Sequence, residues 1–157
     1  MVLVAVVAGL AALQKLTNVA SVPNPAPPVP YAKTVKFARQ QAHLHLLAPP
    51  SLPPGWRATS VRYVDPPREH WHLGVLTAND QYVGLEQSHA SIRAMVGKYV
   101  DQHAHQRPPV TIDGATWTAW SDAGGDYALA RQDGNTTTLV VGTPGRAVLT
   151  RYVASLR

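Results

Sequence analysis

Apolar positions along this chain change their period several times, and each change marks an element. Residues 31–47 space Val35, Ala38 and Ala42 at helical intervals, with Lys33, Lys36 and Arg39 on the other side, which predicts a helix. Pro49 and Pro50 end it. The turn Leu52-Pro53-Pro54-Gly55-Trp56 then leads into a strand over 56–65, where Val61 and Tyr63 oppose Arg62. Strands over 70–77 and 82–88 flank Ala78-Asn79-Asp80-Gln81, a polar hairpin loop. A helix over 90–103 gathers Ile92, Met95, Val96 and Tyr99 on one side, with Arg93 and Lys98 outside it. Arg107-Pro108-Pro109 breaks the chain. Short strands follow over 110–112, 116–121, 127–131 and 136–141, with Asp133-Gly134-Asn135 as a hairpin turn. The final helix runs from Pro144, a good first-turn residue, with Val148, Leu149, Tyr152, Val153 and Leu156 as its stripe.

Residues 80–100 and 133–153 align without a gap at an offset of 53. Asp80 falls on Asp133, and Arg93-Ala94-Met95-Val96 falls on Arg146-Ala147-Val148-Leu149. The chain therefore reads as a pseudo-repeat, 56–103 and 110–157, each half strand–strand–strand–helix. Hairpin-linked strands pair antiparallel. The expected fold is a single α+β domain over 31–157, an antiparallel sheet of about six strands with helices packed on it. Helices related by the echo are expected to cover related parts of the sheet.

The first 13 residues are apolar or small without interruption, too short a run to cross a bilayer unaided, since a span needs about 20 residues. Extension to Val22 reaches that length at the expense of Lys15 and a few polar residues. Three readings stand: an anchor over 1–22 whose start lies upstream of Met1, an export signal, or a buried helix. Pro23-Asn24-Pro25-Ala26-Pro27-Pro28-Val29-Pro30 is an extended, semi-rigid spacer. A spacer over 23–30 fits between an anchor and a domain better than inside a core. The basic residues nearest the apolar run lie after it, which by the positive-inside rule keeps the domain in the cytoplasm; charges upstream of Met1 would reverse that orientation.

The net charge of +5 has a local source. Residues 31–68 carry Lys33, Lys36, Arg39, Arg57, Arg62 and Arg68 against Asp65 alone, whereas residues 69–157 are nearly balanced. A nucleic-acid binder carries its basic face on the folded domain, so none is expected as a partner here. A basic stretch close to a membrane is attracted by anionic lipid. The chain has no cysteine, which excludes disulfides, thiolate metal sites and thiol nucleophiles.

The lead-in turn Leu52-Pro53-Pro54-Gly55-Trp56-Arg57, Trp71-His72-Leu73-Gly74, the run Tyr82-Val83-Gly84-Leu85-Glu86-Gln87-Ser88 and the terminal Ala154-Ser155-Leu156-Arg157 resemble an actinobacterial family catalogued as domain of unknown function 4245. The resemblance extends over nearly all of the chain from Tyr31. It implies an N-terminal membrane span and a short linker before the domain, and it carries no activity with it. The apolar run of this chain is shorter than that pattern implies.

Three His-x-His pairs offer chemistry: His43/His45, His70/His72 and His103/His105. On a strand, residues two apart share a face, so His70 and His72 can meet one metal. A zinc or copper site needs a third or fourth ligand, from Glu69, Glu86 or His89. No further motif supports a metal, and no metal or cofactor is expected. The chain lacks a Gly-x-Ser-x-Gly elbow, a phosphate-binding glycine loop and His-Glu-x-x-His, so no catalytic residues are assigned. Trp117 and Trp120, three apart on a strand, are expected to face opposite sides, one in the core and one exposed or interfacial.

These observations describe a membrane-tethered, extracytoplasmic binding or interaction module, a single-pass protein of the plasma membrane. Its ligand or partner surface is placed at Arg68, Glu69, His70, Trp71, His72 and Glu86, which the first half has and the second lacks. The alternatives are an accessory subunit of a membrane protein complex and a metal-dependent enzyme.

Overall fold

The computed structural model describes residues 26–157. The expected anchor over 1–22 and the start of the linker lie outside the described residues. Ten elements follow in order: α1 (Ala32–Gln41), β1 (Arg57–Val64), β2 (His70–Leu76), β3 (Tyr82–Ser88), α2 (Ile92–Tyr99), β4 (His105–Ile112), β5 (Ala115–Ser121), β6 (Tyr127–Asp133), β7 (Thr136–Gly142) and α3 (Arg146–Ser155). The fold is α+β. Its one sheet is antiparallel throughout, in the order β1-β2-β3-β7-β6-β5-β4.

The sheet has seven strands rather than six. Pro108 and Pro109, read as a break, lie within β4. That strand is at the sheet edge, and its pairing with β5 jumps between Arg107 and Val110. An edge bulge asks for no amide donor at the prolines, so they are tolerated there. The predicted helix over 90–103 ends at Tyr99 and begins at Ile92, where the Ser91 hydroxyl accepts from the Ala94 N–H and caps it. The predicted helix over 31–47 ends at Gln41. After it, Leu44, Leu46 and Ala48 are buried at alternate positions of an extended segment. The buried Gln87 side chain holds this segment by accepting from the Leu47 N–H and donating to the His45 carbonyl. Trp71 Nε1 donates to the Leu47 carbonyl beside it.

Two cores result, one on each face of the sheet. On the back face, Val35 and Ala38 of α1, the 42–48 segment and Leu149, Tyr152 and Val153 of α3 cover Trp71, Leu73, Val83, Leu85, Leu129 and Val140. On the front face, Met95 and Val96 of α2 cover Trp120, Ala128, Ala130, Leu139 and Val141 of the second half of the sheet. Trp117 and Trp120 do face opposite sides, but both are buried, because each face has its own helix layer.

At the sheet centre Glu86 pairs with Leu139, its counterpart at the 53-residue offset. The helices do not follow that relation. Both α2 and α3 contact β6 and β7, from opposite faces. The connections into them differ: Ser91 caps α2, whereas Gly145, with φ 81°, precedes α3 and takes a backbone conformation that glycine adopts freely. As a result, α2 covers the front of β6 and β7 and reaches β2 through Tyr99, which stacks on His70, beside the polar residues of the first half.

Candidate functional site

A ladder of polar side chains crosses the front of β1, β2 and β3. Strand alternation sets it up: His70 and His72 share a face of β2, and the register places His72 between Arg62 of β1 and Glu86 of β3. Glu86 is buried, and each of its oxygens meets one histidine: Oε1 is 2.6 Å from His72 Nδ1 and Oε2 is 2.8 Å from His70 Nε2. Burial pushes the Glu86 carboxyl up, but the hydrogen bonds from His70 and His72 outweigh it, and the net shift is downward. The ladder continues at both ends. His72 Nε2 lies 2.7 Å from Ser60 Oγ, and the Tyr99 hydroxyl lies 2.9 Å from His70 Nε2.

A carboxylate accepts only, so the His72 proton sits on Nδ1, and Nε2 is left to accept from the Ser60 hydroxyl. Ser60 stands just past a bulge in β1. Pairing with β2 runs Ala58↔Val75 and then Ser60↔Gly74, with Thr59 as the extra residue. The bulge inverts the alternation, so Ala58 enters the back core while Ser60 faces front. Gly74 matters here because a Cβ at this position would overlap Ser60 Oγ and crowd the Tyr82 ring and His72 Nε2.

A second network gathers at the end of β2. The Glu69 side chain is 1% exposed. Its Oε1 accepts from the His43 N–H at 2.7 Å and from the Tyr63 hydroxyl at 2.7 Å, and its Oε2 lies 2.8 Å from His89 Nε2. Burial raises the Glu69 carboxyl, and the bonds from Tyr63, His43 and His89 together bring it below its ordinary value. His89 Nδ1 donates to the Asn135 carbonyl at 2.9 Å. With an acceptor at each ring nitrogen, His89 favours the imidazolium form. Its pKa is raised, first by the Asn135 carbonyl and then by Glu69.

Between the two networks lies a cleft of about 320 Å³, open to solvent, lined among others by Arg68, His70, His89, Met95, Lys98 and Tyr99. Arg68 and Lys98 are exposed at its rim. The Lys98 ammonium sits 4.8 Å from the centre of the Tyr99 ring, whose plane stacks on His70 at a centroid separation of 5.9 Å.

Five of the six residues singled out from sequence meet here: Arg68, Glu69 and His70 line the cleft, and His72 and Glu86 form the ladder beside it. Trp71 does not. It is fully buried on the back face, where strand alternation must put a residue between His70 and His72. Ser60, Tyr63, Lys98 and Tyr99 were missed. The Glu69 and Glu86 carboxylates belong to separate networks, each occupied with its own histidine partners. Among the described residues, no group of three His, Cys, Asp or Glu side chains is arranged to hold a metal ion, and no helix is long and apolar enough to cross a membrane.

Fold and site together define a small α+β domain with an open polar sheet face and a cationic cleft. The family model described as protein of unknown function, DUF4245, matches residues 1–156, and the chain belongs to that family. No curated protein and no solved structure matches it.

Proposed function

We propose that this protein is a membrane-tethered, extracytoplasmic binding module whose cleft takes a small acidic ligand. The charge balance of the cleft carries the reading. Glu69, the one acidic group lining it among the described residues, is buried and matched by His89, while Arg68 and Lys98 stand exposed at the rim. An anion entering there meets two exposed cations and an apolar floor of Met95 and Tyr99, a combination suited to a carboxylate or phosphate on an organic body.

The tether is supported by the apolar run over 1–13 and the proline spacer after it, both within the stretch that the family model matches. Near the end of that spacer, the Val29 N–H donates to the Ala58 carbonyl of β1, so the chain joins the domain along an edge strand of the sheet. A reporter enzyme active only outside the cytoplasm, fused after Arg157, tests orientation. Activity supports the extracytoplasmic reading; silence with intact expression favours the accessory subunit facing the cytoplasm.

Ligand class is tested by thermal unfolding of the full chain with succinate, inorganic phosphate and the neutral succinamide. Succinate or phosphate is expected to raise the melting temperature and succinamide to leave it unchanged. The shift should vanish in the Arg68→Gln, Lys98→Gln double variant, since both side chains are exposed at the rim. No shift with any anion, or an equal shift in the double variant, refutes the reading.

A further inference from the structure

We infer that Ser60 is a nucleophile, activated by His72 and Glu86, and that this face of the sheet performs acyl transfer on small carboxylic esters. The geometry is that of a serine–histidine–carboxylate relay: Ser60 Oγ to His72 Nε2 at 2.7 Å, and His72 Nδ1 to Glu86 Oε1 at 2.6 Å. The same three roles recur on unrelated folds in different chain orders, so they are identified by geometry rather than by a sequence motif. Four features of this chain distinguish the arrangement from an ordinary surface hydrogen bond.

First, the carboxylate is buried and its second oxygen is held by His70, so Oε1 is fixed toward His72. Second, the His72 tautomer follows from that contact and leaves the Nε2 lone pair on the Ser60 hydroxyl. Third, the register of β1 on β2, Ser60↔Gly74 and Arg62↔His72, places Ser60 beside His72, and Gly74 leaves the space in which the two meet. Fourth, Ser60 is only half-buried, and the helix on the front face, α2, lies mainly over β6 and β7. Arg62 is exposed on the same face of β1, two residues from Ser60 and paired with His72 in register. It favours an ester whose acyl part bears a negative charge.

In the reaction, Ser60 Oγ bonds to the ester carbonyl carbon while its proton passes to His72 Nε2. Glu86 stabilises the resulting imidazolium. Collapse of the adduct breaks the bond to the alcohol oxygen, and the alcohol leaves with the proton from Nε2. A water molecule then gives a proton to Nε2 and bonds to the acyl carbon. Ser60 departs, recovers that proton, and the carboxylic acid is released.

The test treats the full chain with a fluorophosphonate probe and maps the adduct by mass spectrometry. A stoichiometric adduct on Ser60 is expected, absent in Ser60→Ala and formed about 100-fold or more slowly in His72→Asn, the range expected for loss of a general base. No adduct on the native chain, an adduct elsewhere, or one that persists in Ser60→Ala overturns the inference. A second variant guards against misfolding of His72→Asn. The chain has no cysteine, so Ser60→Cys introduces a single thiol. Its alkylation by iodoacetamide at neutral pH should be at least 10-fold faster in the folded than in the urea-unfolded chain; an equal or slower rate shows that His72 does not activate this position. The cleft and its anion play no part in either readout.

Discussion

Replacing Glu86 by Gln tests whether the polar ladder is built around a carboxylate. The side chain is 4% exposed, and its two oxygens are bonded at 2.6 and 2.8 Å. Gln keeps the shape and one acceptor oxygen, but sets an NH₂ donor against a ring N–H donor. One charge-assisted bond is lost and two donors face each other, at a cost of about 2 kcal/mol. Severing a fully buried pair costs more, about 3–5 kcal/mol. The lower figure applies because His70 and His72 remain 13% and 19% exposed and can recover water. The effect also depends on pH in a defined direction. The folded Glu86 carboxyl lies below its ordinary value of 4.5, so its stabilisation is complete above that pH and fades as pH falls through the folded pKa. Urea unfolding followed by tryptophan fluorescence reads both. At pH 5.5 the midpoint of Glu86→Gln should fall by about 1 M, from an m-value of about 2 kcal/mol/M. The difference should shrink below pH 4.5. A midpoint change under about 0.3 M at pH 5.5, or the same difference at pH 5.5 and pH 3, refutes the reasoning.

The Glu69–His89 pair should add stability mainly between pH 4.5 and 6.5, because the glutamate is shifted down from 4.5 and the histidine up from 6.5. The stability lost in His89→Asn should then be largest in that window and decline as pH rises from 6.5 through the folded histidine pKa; a constant loss from pH 5.5 to 9 would contradict this. Gln87→Leu leaves the Leu47 N–H and the His45 carbonyl without their partner and should cost about 2–4 kcal/mol. Amide exchange across 43–48 should accelerate with it, and unchanged exchange there would show that the clamp is not what holds the segment. Gly74→Ala drives a methyl group into Ser60 Oγ and the Tyr82 ring and should cost about 1–3 kcal/mol in urea unfolding; a neutral result would mean the two side chains move aside freely.

What the sequence disclosed follows from which contacts are local. The hairpins, the alternation in β2 and β3 and the stripes of α2 and α3 depend on neighbours within a few positions, and these elements were legible. So was the shared face of His70 and His72. The same alternation places Trp71 on the opposite face, and grouping all three residues ignored it. The partners of the ladder were not legible, because Ser60 meets His72 only through the register of β1 on β2. That register is set across the five residues 65–69 and not by a two-residue turn, which would have fixed it. The placement of α2 and α3 on opposite faces was hidden for a similar reason: their apolar stripes match at the 53-residue offset, but the connections before them decide the face.

The bulge at Thr59 gives this argument its sharpest test. Ala58 points into the back core and Ser60 forward, so Thr59 is the one residue in β1 that can be removed without turning any other side chain to the wrong face. Its hydroxyl makes only a long 3.4 Å contact with the Gly74 carbonyl. Deleting it should leave a regular strand, cost less than about 1 kcal/mol, and keep the Ser60–His72 contact. Deleting Thr118 from β5, where pairing with β6 is regular, should instead turn the buried Trp117 out of the back core and unfold the domain. Circular dichroism and urea unfolding of the two deletions compare them directly. If the Thr59 deletion unfolds the domain as readily as the Thr118 deletion, the extra residue is not a spare position, and the account of how Ser60 comes to face His72 fails with it.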